Sequence, residues 1–181
     1  MTQINPMAPV MVTGATGYLA GHVVKQLLEA GHTVHAPVRS PDNADKLKYL
    51  NAIAAGTQGQ IKYFKADLLD EGSYNEAMAG CELVIHTASP FFLKVKDPQK
   101  DLIEPAVNGT RNVLNAANAI DSVKRVVLTS SMAAIYTDNT EIAKKPGGVL
   151  TEEFWNETAS LTHSPYAFSK KLAEQEAWKM M

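Results

Sequence analysis

The chain has 181 residues, with 17 basic and 19 acidic side chains and a formal net charge of −2. Charges of both signs are interspersed and no basic block occurs, which excludes a charge-built nucleic-acid or membrane-surface footprint. The single cysteine, Cys81, excludes an internal disulfide and a cysteine-based metal site, so no metal is expected.

The length suits one sizeable domain, burying roughly 70% of the surface of the unfolded chain. The N-terminal stretch MTQINPMAPV has no basic segment followed by an apolar run, so no signal peptide is expected. No stretch approaches the ~20 apolar residues of a membrane span. The expected location is cytoplasmic. In that setting the two N-x-S/T sequons, at Asn108 and Asn156, read as coincidence.

In chain order, Val10–Thr13 predicts a short buried strand and Tyr18–Ala30 an amphipathic helix stopped by Gly31. Thr33–Val38 predicts a second strand and Asn43–Ala55 a second helix. Ile61–Ala66 is a third strand, followed by a short helix over Ser73–Ala79 that ends at Gly80. Leu83–Thr87 is a fourth strand, followed by a long helix over Leu102–Ile120. Arg125–Thr129 is the fifth strand. The stretch from Ala133 to Ser164 is irregular, and a last helix runs from Pro165 towards Met181. Strand–helix alternation implies right-handed βαβ units: an α/β, Rossmann-type doubly wound parallel sheet in the order 3-2-1-4-5.

The first strand runs into a glycine-rich turn, TGATGYLAG. In a dinucleotide fold the first glycine permits the tight turn and the second lets the backbone approach a pyrophosphate. The third position must be small, and Ala20 meets that need. The pyrophosphate then rests on the helix N-terminus. Gly14, Thr16, Gly17, Tyr18 and Leu19 are therefore candidate cofactor contacts. The second strand ends VRSP, with no carboxylate to take the ribose 2′-hydroxyl of NAD. Arg39 offers a planar fork suited to a 2′-phosphate, and Lys46 adds a second positive charge. The expected cofactor is NADP(H). Asp67, with Leu68 beside it, either accepts from the adenine amino group or caps its own loop, and the adenine role is favoured.

The fifth strand leads to Thr129, Ser130 and Ser131 at the carboxyl edge, where open α/β sheets bind ligands. Tyr166 and Lys170 follow, one helical turn apart. A tyrosine phenol can protonate an alkoxide left by hydride transfer, but its unperturbed pKa is ~10. A nearby ammonium lowers it, and a serine hydroxyl can hold the substrate oxygen. Ser131, Tyr166 and Lys170 are the candidate catalytic set. A Tyr-x-x-x-Lys spacing alone is weak; its force comes from the accompanying turn, arginine and strand-end serine.

Taken in order, TGATGYLAGHV, VRSPDNADK, KADLLDEGS, HTASPF, NGTRNVL, TSSMAAIY and PYAFSKKLAE resemble an extended short-chain dehydrogenase/reductase. The similarity is to the dihydroflavonol reductase, cinnamoyl-CoA reductase and yeast-type carbonyl (methylglyoxal) reductase branch. It covers the chain from Val10 onward. The resemblance implies NADPH-dependent reduction of an aldehyde or ketone by Ser131, Tyr166 and Lys170. It implies that Lys170 also bonds the nicotinamide ribose, that Thr87, Ala88 and Ser89 line the cofactor cleft with Thr129, and that Asn108 sits at a proton-relay position. Phe91 and Phe92 either form an apolar substrate wall or pack beneath a C-terminal lobe.

Alternatives are a cofactor-binding module without turnover, an inert fragment, or an NAD-dependent sugar-nucleotide epimerase or dehydratase, against which Arg39 weighs. Members of the branch continue past the Tyr–Lys helix into a C-terminal substrate lobe. Residues 1–181 are therefore expected to be the NADP-binding Rossmann domain, the N-terminal portion of a longer reductase. The expected partners are a small carbonyl substrate and, as monomer or homodimer, at most a second copy. Alone, the chain is expected to have little or no reductase activity and to self-associate or be only marginally stable.

Overall fold

The computed structural model describes residues 3–90 and 95–181. Its strands are β1 (Val10–Thr13), β2 (Thr33–Val38), β3 (Gln60–Lys65), β4 (Leu83–His86) and β5 (Arg125–Leu128). Its α-helices are α1 (Tyr18–Glu29), α2 (Ala44–Ala55), α3 (Asn75–Met78), α4 (Glu104–Ala119) and α5 (Pro165–Lys179). The five strands form one sheet in the order β3-β2-β1-β4-β5. Every neighbouring pair is parallel, as the alternation of elements predicts.

Two compact groups of contacts divide the chain: Met1–Ala88 with Asn112–Thr129, and Ser89–Arg111 with Ser130–Met181. The first unit holds the whole sheet. Side-chain alternation along its strands makes two cores. Val10, Val12, Val34 and Ala36 point to one face and pack with Ala20, Val24, Leu28 and Leu50 of α1 and α2. Met11 and Val84 point to the other, against Tyr74, Ala77, Met78, Val113 and Ala117. Met11 is fully buried, and truncating such a side chain to alanine costs about 2–5 kcal/mol. Pro37 is tolerated in β2 because the β1–β2 register ends at Met11↔His35, before Pro37 is reached.

Three elements depart from the sequence expectation. The helix expected over Ser73–Ala79 shrinks to Asn75–Met78. Gly72 (φ 77°) and Gly80 (φ 76°) bracket it in left-handed backbone, where a helix cannot continue. The long helix starts earlier, with a π-turn over Gln99–Ile103 that runs into α4. Asp97 Oδ1 accepts from Gln99 N and Lys100 N, and Asp101 Oδ2 from Lys96 N and Asp97 N, so carboxylates satisfy the entry. The widened turn directly precedes Pro105, whose ring and missing N–H a regular α-turn would not accommodate. In the second unit the irregular stretch is a chain of short 3₁₀ turns, over Met132–Ala134, Asn139–Lys144 and Pro146–Gly148.

His35 sits on β2 beneath α3 and is 6% exposed. Its Nδ1–H donates to Ala77 O at 2.8 Å, while Nε2 is buried without a partner. Burial holds its pKa below the ordinary 6.5; the bond to Ala77 opposes this and the charge of Lys62 adds to it. The unfolded chain therefore binds a proton that the folded chain refuses. Stability is full above about pH 6.5 and falls as the pH drops through that value. Urea titrations at pH 7.5 and 5 should show the loss, and His35→Leu should flatten it. Equal pH dependence in both proteins would exclude His35 as the source.

Candidate functional site

The first unit gathers the glycine-rich turn. Gly14 follows β1 with φ 69°, and a Cβ there would lie 3.1 Å from Ala88 Cα and 3.2 Å from Thr87 Oγ1. The close approach is held by Thr13, which is fully buried. Thr13 Oγ1 accepts from Thr87 N and Ala88 N, both at 3.1 Å. With both lone pairs used, its own proton goes to His86 Nδ1 at 2.7 Å. That sets His86 Nδ1 as an acceptor in a neutral ring. Thr87 Oγ1 in turn donates to Thr13 O at 2.6 Å.

Gly17 is the N-cap of α1 and no side chain caps it; the first turn carries no acidic residue. The helix N-terminus thus offers N–H groups and a positive dipole end to an anion. Thr16, Tyr18 and Leu19 are exposed around it, Tyr18 at 87%. Ala20 is buried, and a Cβ on Gly21 would touch Tyr49. The small residues here serve helix packing.

Because the strands are parallel, the other candidates of this unit follow the same ends of β2, β3, β4 and β5. Arg39 is exposed directly after β2, and Lys46 is exposed in the first turn of α2, its backbone N–H capped by Asn43. Asp67 Oδ1 accepts from Leu69 N, so this carboxylate does cap its own loop. Leu68 packs against the core, so what it offers at the edge is main chain. Asn112 braces this loop, donating to Leu68 O and Asp70 O and accepting from Gly72 N. Thr129 N donates to His86 O.

The second unit gathers the candidate chemical group. Ser131 caps the 132–134 turn, its Oγ accepting from Ala133 N at 3.1 Å, which leaves its own proton to donate. That turn packs on α5. Ser130 Oγ donates to Glu174 Oε2 of the same helix. Ser131 is thus flanked on both sides by residues that touch α5. Tyr166, Lys170 and Glu174 lie at i, i+4 and i+8, on one face of it. Lys170 is only 7% exposed; burial pulls its pKa down, and the charge of Glu174 pushes back. Ser164 enters the helix in left-handed backbone (φ 53°, ψ 59°), the one non-glycine residue with positive φ among those described. Such a conformation costs about 1–3 kcal/mol. It is braced by Pro165 at the first helical position and by Phe168 N donating to Ser164 O. Ser89, also in this unit, is exposed after β4.

The comparisons with known proteins follow this geometry. The model of the NAD-dependent epimerase/dehydratase family matches residues 10–181. The chain belongs to this family, the extended short-chain dehydrogenase/reductases. Within it, the chain is 44% identical over 184 aligned residues to a cinnamoyl-CoA reductase of Medicago truncatula, covering 100% of the chain and 55% of the relative. It is 41% identical to the anthocyanidin reductase of Arabidopsis thaliana, covering 93% and 49%. Among solved structures, the yeast methylglyoxal/isovaleraldehyde reductase in complex with NADPH superposes with a TM-score of 0.77 at 31% identity, covering 94% and 52%. Vestitone reductase from alfalfa (Medicago sativa) gives 0.72 at 30%, covering 95% and 52%. The chain spans about half the length of these family members.

Sequence reasoning missed several participants. Thr13 and Glu174 were legible only as a polar residue in an apolar strand and an acidic residue one turn beyond a lysine. Asn108 was singled out for a relay. Its Oδ1 accepts from Arg111 Nη1 at 3.0 Å, and it lines a groove of ≈ 340 Å³ with Val107, Leu172 and Gln175. Phe91 and Phe92 lie outside the described residues. Among the described residues no group of three or more histidines, cysteines or carboxylates could hold a metal, and no helix is long and apolar enough to cross a membrane.

Gly14→Ala tests the turn. An alanine in left-handed backbone costs about 1–2 kcal/mol, and the added methyl meets Ala88 as well. Urea denaturation should show a lower midpoint. An unchanged midpoint would mean that the β1–β4 approach is looser than described.

Proposed function

We propose that this chain is the cofactor-binding and proton-transfer portion of an NADPH-dependent reductase that converts an aldehyde or ketone to an alcohol. The observation that carries the reading is the single face of α5 on which Tyr166, Lys170 and Glu174 follow one another beside residues 130–134. The reductase names of the relatives and the NADPH in the yeast reductase complex support it.

The residues of the first unit fit a nicotinamide dinucleotide. The turn at Gly14 has no room for a side chain, the α1 N-terminus is uncapped, and Arg39 with Lys46 supplies positive charge where a 2′-phosphate would be held. Asp67 and the edge residues Thr87, Ala88 and Thr129 complete the proposed contacts of this unit. When bound, the cofactor supplies the hydride that goes to the carbonyl carbon. Ser131 donates a hydrogen bond to the carbonyl oxygen and orients it. Tyr166 gives its phenolic proton to that oxygen as negative charge develops there. The Lys170 ammonium stabilises the phenolate left behind. Glu174 keeps that ammonium charged against its burial.

Three outcomes check the reading. In the full-length protein, Tyr166→Phe should retain NADPH binding and lose nearly all aldehyde-dependent NADPH oxidation; substantial turnover would place the proton donor elsewhere. Arg39→Ala should weaken NADPH while sparing NADH, by roughly tenfold to a hundredfold for a lost charge-assisted contact of ~1.5–3 kcal/mol. Equal loss for both in calorimetry would remove Arg39 from the phosphate site. The rate should also fall on the alkaline side below the ordinary lysine value of 10.5, because the Lys170 pKa is lowered. Glu174→Gln should move that limb to lower pH, since the carboxylate is what raises Lys170; an unmoved limb would exclude the coupling.

A further inference from the structure

The side chain of Asn156 in the second unit has every hydrogen-bonding position filled, and the proton-transfer reading does not use it. It is 0% exposed. Its Nδ2 donates to Ala133 O and to Thr137 Oγ1, both at 2.8 Å. Its Oδ1 accepts from Ala159 N at 2.8 Å and from Thr158 N at 3.2 Å. Its backbone N–H donates to Ala134 O at 2.8 Å. Its carbonyl accepts from Lys171 Nζ, on α5, at 2.6 Å. Both amide hydrogens and both lone pairs of the side chain are used, so no neighbour can substitute for it.

The partners identify what is being held. Ala133 and Ala134 belong to the turn that Ser131 caps. Thr158 and Ala159 lie in the stretch leading to Pro165. Lys171 directly follows Lys170. Residues far apart in sequence therefore meet at Asn156: Ala133, Thr137, Thr158 and Ala159 at its side-chain amide, and Ala134 and Lys171 at its backbone. A second buried group, Glu141, supports it: its Oε1 accepts from Thr137 N, Asp138 N and Thr158 Oγ1. Burial alone would raise this carboxyl, but those three donations outweigh it and its pKa is lowered.

We propose that Asn156 is a positioning residue, which sets Ser131 against Tyr166 and Lys170 through the 132–134 turn on one side and Lys171 on the other. The identity of that trio as the proton-transfer set rests on the function proposed above; the positioning itself can be read without turnover. Asn156 touches none of the reacting groups. A buried hub of this kind specifies one arrangement when fully satisfied and releases it when any member is lost.

The test reads Lys170 accessibility by acylation with a small anhydride, mapped by peptide mass spectrometry. Exposed Lys100 serves as the internal reference. Alkylation of Cys81, which is buried in the first unit, reports global unfolding. In the wild-type chain Lys170 should label at least about tenfold more slowly than Lys100, as a group reached only by local opening. Asn156→Ala should abolish that protection while Cys81 stays protected. Lys171→Met leaves the side-chain amide intact and cuts only the bond from α5 to the Asn156 backbone carbonyl; it should raise Lys170 labelling severalfold, and Lys171→Arg should restore the slow rate. In the full-length protein, with an aldehyde and NADPH, both disruptive variants should lower kcat about tenfold, and Lys171→Arg should restore it. Lys170 protection unchanged in both, or lost only together with Cys81, overturns the proposal. Labelling as expected, in a full-length protein that reduces no carbonyl, supports the positioning and overturns the reductase reading instead.

Discussion

One hydroxyl organises the carboxyl edge of the sheet. Thr13 spends both lone pairs on consecutive N–H groups of β4's outgoing chain and its proton on His86, so β1 and β4 are locked together where the backbone leaves the sheet. That approach leaves Gly14 in contact with Ala88 and makes any side chain at Gly14 a clash. The same turn releases α1 with its N-terminus uncapped. An anion-ready helix end is therefore a consequence of strand packing. Valine would keep the size of Thr13 and leave two N–H groups and a histidine nitrogen without their partner, which is costly in a buried site.

In the second unit the organising element is α5. One face carries a phenol, a buried ammonium and a carboxylate at successive turns, and the carboxylate also holds Ser130. Burying a lysine opposes its charge, and Glu174 offsets part of that cost. The left-handed entry at Ser164 adds local strain directly ahead of the proposed proton donor. Strain at such a point persists only where its surroundings over-determine it; here Pro165 follows it and Phe168 N donates to Ser164 O.

How much of this could be read from sequence follows the range of the forces. The sheet order, the glycine turn and the Tyr–Lys spacing were legible because strand alternation and helical period are local signals. The short α3 was legible in place but not in extent, since Ser73, Tyr74 and Ala79 fall outside it. The π-turn before Pro105 was not, since two aspartates folding back on their own backbone leave little periodic trace. The stretch between Ser131 and Tyr166 reads as a loop because its bonds span tens of residues: Asn156 reaches Ala133, and Thr158 reaches Glu141. Such bonds have no period. At Asp67 the sequence left two roles open, an adenine contact and a loop cap; Oδ1 takes the cap through Leu69 N, while the neighbouring Leu68 side chain packs against the core.

The buried amide of Asn156 also bears on how this chain can be made. Asn156-Glu157-Thr158 is a glycosylation sequon by its letters, yet both hydrogens of the nitrogen that would carry a sugar are committed inside the fold. Enzymes that attach glycans act on extended, accessible segments during synthesis. A glycan placed there before folding would replace one of those hydrogens and fill a site that has no room for it. Expression through a secretory host would then set modification and folding in competition for the same nitrogen, and Thr158→Ala, which removes the sequon, would also remove the hydroxyl that Glu141 receives. Production in a compartment without glycosylation avoids that competition.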